Sequence, residues 1–526
     1  MAAAPSESSL PPQQSAAASN KWIIAMAVML ATIMEVLDTT IANVALLHIR
    51  GSLSAGVDEA AWVLTSYIIA NAIVIPLTGW CGSYFGRKRF FTFSILLFVG
   101  SSFAAGASPN LATLIVFRVL QGLGGGAMMP MSQAILMETF PPQEQAVAMS
   151  VCGLGMMLGP VMGPMLGGWI TDNYSWRWIF YINVPIGLLA ATMVTMFVHD
   201  PAYVRRGIKR IDWWGLCYLV IGVSCIQIML DKGERLDWFN SETINVLMGV
   251  GAAGVILFII QELRTAEPVV DLRVLNNRTF AVGTVFTTIV MFAMYGTYVL
   301  IPLYCQQITG YTPLIAGFVL SIQSFGTLAS IMLAGRLFNL IDARIMVAAG
   351  CLIAGFGTWS MAHFNAQIDF WNIALPGLYR GIGSGLIFIP MTTLSLSAVS
   401  KEEMATASGL FNMVRTIGGS IGIAILVAMV SSHSQIHQTY LAQQVDPFRF
   451  GMWSRSFPAA AGEISGLTRH GAAPFLGMVY QEVQRQAMVL AFVDDFRLIA
   501  YIFFFLTPLA FVMRKQVSHG GAPAAH

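Results

Sequence analysis

Charged residues are scarce in this sequence, and their scarcity excludes an ordinary soluble domain. Only 10% of the 526 residues are Asp, Glu, Lys or Arg, and 56% are hydrophobic, whereas soluble domains carry about 25% charged residues. The apolar residues form runs of about 20, the length that a helix needs to cross the hydrocarbon layer. The sequence therefore predicts an all-α polytopic membrane protein.

Signatures of several other function classes are also lacking. The six cysteines have no CxxC pair and lie almost all within or at the edge of apolar runs, so they indicate buried side chains rather than disulfides or metal ligands. The net charge of +2 is spread over many loops, which argues against a nucleic-acid partner. HExxH and GxxxxGK[ST] motifs are absent, and among the eight histidines only His363 stands at the edge of a span. We predict no catalytic residue, metal or cofactor, and a membrane enzyme stays as the alternative from another class.

Fourteen membrane spans are predicted, with edges good to a few residues. They cover 22–47, 61–81, 90–107, 110–133, 148–170, 178–198, 211–230, 242–262, 280–303, 313–334, 345–364, 371–396, 408–431 and 489–513. Basic residues concentrate in the segments that are inside if the N-terminus is cytoplasmic, so both termini are predicted inside. The long segment 432–488 is then an outside loop and a candidate docking surface.

Two stretches of the sequence resemble each other at an offset near 260. FRVLQGLGGGAMMPMSQAI begins at residue 117 and YRGIGSGLIFIPMTTL at residue 379, which aligns Arg118 with Arg380 and Pro130 with Pro390. We predict two six-helix halves with an inserted pair of spans between them. The predicted segments are a disordered cytoplasmic tail at 1–20, an N-terminal half at 21–200, inserted helices at 201–265, a C-terminal half at 266–513 and a second cytoplasmic tail at 514–526.

The first span carries two carboxylates three residues apart, Glu35 and Asp38, and hence on one helical face. Placing a charge at the bilayer centre costs at least about 2.5–3.5 kcal/mol, so these side chains are expected in the interior or beside a cavity. There they could carry protons, or they could only orient helices through fixed donors. The sequence does not decide which of the two carboxylates dominates.

Arg118 lies midway along the fourth span, followed by Gln121 and three glycines. A permanent cation at that depth needs a partner, and a carboxylate of the first span is the obvious candidate. The glycines lie inside a span with no preceding strand, so they indicate close helix packing rather than a nucleotide loop.

The fifth span and the loop after the second span are rich in glycine. GLGMMLGPVMGPMLGG in the fifth span predicts close helix contact and a capacity to bend. GWCGSYFGRKRF after the second span predicts a tight cytoplasmic hinge. The candidate residues are Gly155, Gly159, Pro160, Gly163, Pro164 and Gly167 in the span, and Gly79, Gly86, Arg87 and Lys88 in the loop.

Taken in order, these motifs resemble the major facilitator superfamily, most closely its fourteen-span EmrB-like drug:proton antiporters. Further matching stretches are LDTTIANVAL from residue 37, WRWIFYINVPIG from residue 176 and LDKGERLDWF from residue 230. The resemblance implies a coupling role for Asp38, a place for Arg118 in the proton-relay region, and an antiporter motif at Gly159, Pro160 and Gly163. Glu35 is added from its spacing alone, and Ser83 stands where the family usually has an acidic loop residue.

The resemblance also implies the function. It indicates export of hydrophobic drugs by alternating access, driven by the proton gradient without a cofactor, across a bacterial inner membrane. EmrB-like proteins usually work with a periplasmic adaptor and an outer-membrane channel, and the outside loop is a candidate adaptor contact. The alternatives are an uptake carrier or proton symporter of the same fold, and a sensor or assembly subunit that transports nothing.

The charge of the transported compound stays open at this stage. Candidate cavity residues are Asn43, Gln121, Arg380 and Arg415. The two arginines of the C-terminal half favour weak acids or fatty acids, whereas Glu35 and Asp38 favour cations.

Overall fold

A computed structural model of the protein describes residues 14–200, 212–265, 267–443 and 473–512, and the regular structure in these ranges is helical throughout. In chain order the helices are α1 (Gln14–Ser52), α2 (Val57–Phe85), α3 (Arg87–Gly106), α4 (Leu111–Gly125), α5 (Met128–Thr139), α6 (Gln145–Asn173), α7 (Trp178–Tyr181), α8 (Asn183–Phe197), α9 (Trp213–Lys232), α10 (Glu242–Arg264), α11 (Arg278–Gln307), α12 (Pro313–Leu337), α13 (Ala343–Met361), α14 (Phe370–Ser397), α15 (Met404–Gln443) and α16 (Ala473–Leu509).

Thirteen helical segments of the described chain are long and apolar enough to cross a membrane. The fourth of these joins α4 and α5 as Leu111–Thr139. The fourteenth predicted span corresponds to α16, which is helical but carries Asp494, Asp495 and Arg497 in its apolar half. Three charges in one apolar stretch set this helix apart from the other thirteen segments, although the helix itself forms as predicted.

The described helices extend beyond two of the predicted boundaries. Helix α1 begins at Gln14, inside the segment predicted as a tail, because the alanines that follow are strong helix formers and continue the first span. Helix α15 runs on to Gln443, and α16 begins at Ala473, so both ends of the predicted loop 432–488 are helical. The centre of that loop and both chain ends lie outside the described residues.

Contacts divide the chain into two units. The first comprises residues 1–211 with 400–409, and the second comprises 212–399 with 410–526. The predicted inserted helices, α9 and α10, pack against each other and belong to the second unit. The predicted boundaries of the two halves stay predictions.

Helices α9 and α10 are joined at one end by Asp212. Its carboxylate accepts hydrogen bonds from the Gly215 amide, the Gln261 side-chain amide and the Thr265 hydroxyl, each at 2.9 Å. Burial alone would raise the pKa of Asp212, but these donors outweigh it and hold the pKa below its ordinary value. The side chain thus caps α9 and ties it to the C-terminal end of α10.

Candidate functional site

Asp38 lies at the centre of a buried polar cluster in the first unit. Its side chain on α1 is only 2% exposed. One carboxylate oxygen, Oδ2, accepts from Arg118 Nη1 at 2.7 Å, and Oδ1 accepts from Gln121 Nε2 at 2.8 Å. The pairing that the sequence suggested between the first and fourth spans is therefore present, and Gln121 joins it one helical turn after Arg118.

Arg118 is held from several directions at once. Nε donates to the Val63 carbonyl at 3.0 Å, and Nη1 also donates to Gln121 Oε1 at 2.8 Å. The guanidinium carbon lies 4.3 Å from the ring centroid of Tyr67 on α2. A fully buried guanidinium with a carboxylate, two neutral acceptors and an aromatic face is well compensated for its loss of water.

Asn183 is a member of this cluster that sequence reasoning missed. Its side-chain amide donates to Asp38 Oδ1 at 2.7 Å and lies 3.1 Å from Ser102 Oγ, and the residue is fully buried at the start of α8. It stands in the quoted WRWIFYINVPIG stretch, so a polar residue within an apolar run was the available signal. Three donors thus surround the Asp38 carboxylate.

Glu35 lies near Asp38 on α1 but has a different partner. Its Oε1 accepts from the Asn71 side-chain amide of α2 at 3.1 Å, and the residue is 9% exposed. Asn71 is therefore a donor to Glu35 that is additional to the three donors around Asp38.

The glycines of the predicted antiporter motif form the contact between α6 and α1. A Cβ built at Gly159 would lie 3.0 Å from the backbone carbonyl carbon of Val36, and one built at Gly163 would collide with Thr40. Thr40 Oγ1 also lies 3.1 Å from the Gly159 carbonyl oxygen. At Gly155 the neighbour is the flexible end of Met29. The glycines therefore leave room for the side chains of α1 and none for side chains of their own at Gly159 and Gly163, and the contact holds the helix that carries Asp38.

Two glycines of the predicted hinge have distinct structural tasks. Gly86 has φ 87° and separates α2 from α3, a conformation that L side chains rarely adopt. A Cβ built at Gly79 would lie 2.7 Å from the Thr406 backbone nitrogen, which belongs to the same unit. The Lys88 amide donates to Asp200 Oδ1 at 2.8 Å.

Arg87 pairs with an acidic residue that sequence reasoning did not consider. The guanidinium forms an ion pair with Glu138 of α5, and Nη2 lies 3.3 Å from the Lys401 carbonyl oxygen. Both side chains of the ion pair are less than one tenth exposed. The loop lacks an acidic residue at Ser83, but Glu138 supplies a carboxylate to the same arginine from another helix.

The four candidate cavity residues are divided equally between the two units. Asn43 is exposed and donates to the Thr39 carbonyl of its own helix at 3.1 Å, and Gln121 belongs to the Asp38 cluster. Arg380 and Arg415 are buried in the second unit, with Arg415 5.7 Å from the ring centroid of Phe388. The first unit thus holds an exposed side chain and a member of the Asp38 cluster, and the second unit holds two buried arginines.

Helix α16 contributes buried acidic chemistry that the sequence reading passed over. Asp495 is fully buried, and neither of its carboxylate oxygens has a hydrogen-bond partner among the described residues. Next to it, Asp494 Oδ2 lies 2.7 Å from His437 Nε2 of α15. No group of three or more His, Cys, Asp or Glu side chains in the described part of the chain is arranged to hold a metal ion.

Comparisons with known proteins agree with this architecture. A family model described as Major Facilitator Superfamily matches residues 28–423. The chain is 39% identical over 435 residues to the multidrug export protein EmrB of Haemophilus influenzae, covering 81% of this chain and 84% of that protein. It is 36% identical over 504 residues to the multidrug export protein EmrB of Escherichia coli, covering 95% and 96%.

Solved structures resemble the fold at much lower sequence identity. The crystal structure of the human organic anion transporter MFSD10 (TETRAN) has a TM-score of 0.59 at 12% identity, covering 94% of this chain and all of that one. A likeness at this identity bears on the fold alone.

Proposed function

The chain belongs to the major facilitator superfamily, and on this premise we propose that it is a multidrug efflux transporter that exports hydrophobic compounds in exchange for protons. The family and the helical fold confirm the predicted membrane transporter. Identity of 36–39% with two multidrug export proteins over most of the chain supports drug efflux. Proton exchange is the further step, and it rests on the Asp38 cluster.

The observation that carries proton coupling is the balance of charge around Asp38. In this structure its anion accepts three hydrogen bonds, one of them from a buried cation. A proton arriving on Asp38 would remove the ion-pair attraction that holds Arg118 and leave the buried guanidinium beside a neutral carboxylic acid. Both partners are buried, so that change is weakly screened and large enough to favour a different packing of α1 against α2 and α4.

The proposed cycle is alternating access. A hydrophobic compound enters from the cytoplasm or the inner leaflet, and protonation of Asp38 from the other side drives its release outward. Each charge that crosses a potential of 100 mV contributes about 2.3 kcal/mol, so one or two protons can sustain a steep drug gradient. Glu35, with its own partner Asn71, is the candidate for a second proton.

The proposal places the protein in a bacterial inner membrane with both termini in the cytoplasm. It includes a periplasmic adaptor and an outer-membrane channel as partners, and the segment 432–488 as the adaptor contact. These parts rest on the orientation of basic residues and on the family resemblance.

Proteoliposomes with a pH-sensitive dye inside test the exchange. We expect cationic, neutral or acidic drugs to trigger proton flux with the wild type and not with Asp38→Asn, which keeps the side-chain size but cannot carry the proton. Glu242→Gln, at an exposed carboxylate at the start of α10, is the matched control and should behave as wild type. Glu35→Gln asks whether the other carboxylate of α1 contributes.

Four results would contradict the proposal in different ways. Flux that persists in Asp38→Asn would remove Asp38 from the coupling step. Flux in the symport direction would support an uptake carrier, and no flux with any drug in the wild type would support the non-transporting subunit. Retained turnover of a chemical substrate by the purified protein would revive the membrane enzyme.

A further inference from the structure

Arg380 is a buried cation whose charge nothing in the described chain neutralises. It lies in α14 and is fully buried, and none of its three guanidinium nitrogens has a hydrogen-bond partner among the described residues. Its guanidinium carbon lies 5.3 Å from the ring centroid of Tyr298 on α11. An unpaired charge away from water is strongly unfavourable, so its retention needs a reason beyond packing.

The internal repeat makes the same point by comparison. Arg118 stands at the corresponding place in the first unit, where Asp38 of α1 and Gln121 accept hydrogen bonds from its Nη1. Arg380 follows Arg118 by 262 residues, and Tyr298 follows Asp38 by 260. In the second unit the arginine thus lies beside a neutral phenol of α11, whereas in the first unit it lies beside a carboxylate of α1.

Other polar groups beside Arg380 also lack partners in the described part of the chain. The Tyr298 hydroxyl is buried without a hydrogen bond, and so is Oε1 of Gln323 on α12. A Cβ built at Gly377, one turn before Arg380, would lie 3.8 Å from that Gln323 oxygen. A phenol from α11 and an amide oxygen from α12, both without a partner among the described residues, therefore lie near the buried guanidinium of α14.

We propose that Arg380 and Tyr298 bind the carboxylate of the transported compound, so that amphiphilic carboxylic acids form one substrate class of this exporter. The planar guanidinium offers two parallel N–H donors to a carboxylate, and the phenol adds a third. The apolar spans around them suit a hydrocarbon tail. The site is closed in this structure, and its opening to ligand rests on the proposed transport function.

The same site discriminates against cations. A compound with a quaternary ammonium group meets a like charge at Arg380 and gains nothing from it. It would have to bind elsewhere, so a change at Arg380 should affect acidic compounds and spare cationic ones.

Direct binding to the purified full-length protein tests the site. The radiolabelled ligands are decanoate, decanol and decyltrimethylammonium, which share a tail and differ in the head group, and scintillation proximity measures their affinities in a neutral detergent. We expect decanoate to bind about tenfold or more tightly than decanol in the wild type, since hydrogen bonds to charged groups are the strong ones. Arg380→Gln should remove that preference and leave decyltrimethylammonium unchanged or bound more tightly.

Companion variants separate recognition from a structural role. Arg380→Lys should retain part of the preference, and Tyr298→Phe should weaken decanoate several-fold while decanol is unaffected. Arg497→Gln, an arginine of the same unit that pairs with Asp494 at 3.5 Å and is half exposed, is the matched control. Removing an unpartnered charge should not lower the melting temperature, so a large drop in Arg380→Gln would assign Arg380 to the fold and overturn the proposal.

The remaining outcomes distinguish this proposal from the proposed function. Equal loss of all three ligands in Arg380→Gln, or an undiminished preference for decanoate, overturns the carboxylate site. If the wild type binds decanoate through Arg380 but no compound drives proton flux, the site stands and proton-coupled export fails. If cationic drugs drive flux and decanoate does not bind, export stands and the site fails.

Discussion

The single carboxylate of Asp38 accepts hydrogen bonds from three side chains that belong to two other helices. Arg118 and Gln121 come from α4, and Asn183 comes from α8. A donor to a buried anion contributes more than one to a neutral group, because the anion has lost its water. Asn183 therefore acts on Asp38 without being charged.

Asn183→Leu should lower stability by about 1–3 kcal/mol, because it removes one donor from a buried carboxylate. The same change in an Asp38→Asn background should cost less, since the acceptor is then neutral. Thermal unfolding of the wild type, the two single variants and the double variant gives the coupling energy. Equal losses in both backgrounds would mean that Asn183 serves packing and not the charge of Asp38.

Residue types predicted part of this cluster but not all of it. Burying an unpaired charge in a span has a high free-energy cost, so an acid in the first span and an arginine in the fourth are expected to pair. That argument alone predicted the contact between Asp38 and Arg118. The sequence did not predict the roles of Asn183 and Glu138. A neutral amide inside a span, or an acid at the end of one, can be accommodated in many environments at little cost in free energy. Nothing in the sequence indicated a role for Tyr298, because a neutral phenol within a span carries no charge cost.

At the scale of helices, the glycine backbone of α6 packs directly against side chains of α1. Gly159 and Gly163 leave room only for Val36 and Thr40, whereas a Cβ built at Gly168 on the same helix meets nothing within 4 Å. The sequence predicted close contact from the spacing of small residues. It did not show which helix would be the neighbour, because spacing marks a face and not its partner.

Gly159→Ala should destabilise the protein and reduce drug-driven flux, because the new methyl group must push α6 away from α1. Gly168→Ala is the matched control and should be neutral, or stabilising by up to about 1 kcal/mol, since alanine favours helix. Thermal unfolding and flux assays on both variants test this. A Gly159→Ala protein as stable and active as the control would show that the contact tolerates a side chain.

The sequence predicted the fold class of the whole chain but not where several of its helices end. Apolar runs predicted the spans because the bilayer fixes their length, and ordered motifs predicted the family. The ends of α1, α15 and α16 were misjudged because helices continue past the hydrocarbon layer wherever the residues favour helix. In α16 the apolar half of the helix accommodates three charged residues, Asp494, Asp495 and Arg497.

Single cysteines test the predicted orientation of the molecule. In a background with the six native cysteines replaced by alanine, Ser241→Cys between α9 and α10 should react with a membrane-impermeant maleimide in intact cells. Ser400→Cys, between α14 and α15, should react only after the cells are opened. The reverse pattern would place both termini on the outer side and invert the proposed direction of proton entry.

The contact between α1 and α6 also affects how a movement of one helix is transmitted to the other. Side chains between two packed helices can change rotamer when one helix shifts, so they absorb part of the movement. At Gly159 and Gly163 the side chains in the contact are those of Val36 and Thr40. Both are β-branched and restricted at χ1 in a helix, so little such freedom is left. The two helices are then expected to move together as a rigid pair within their unit, so that a tilt of α6 also displaces Asp38 on α1.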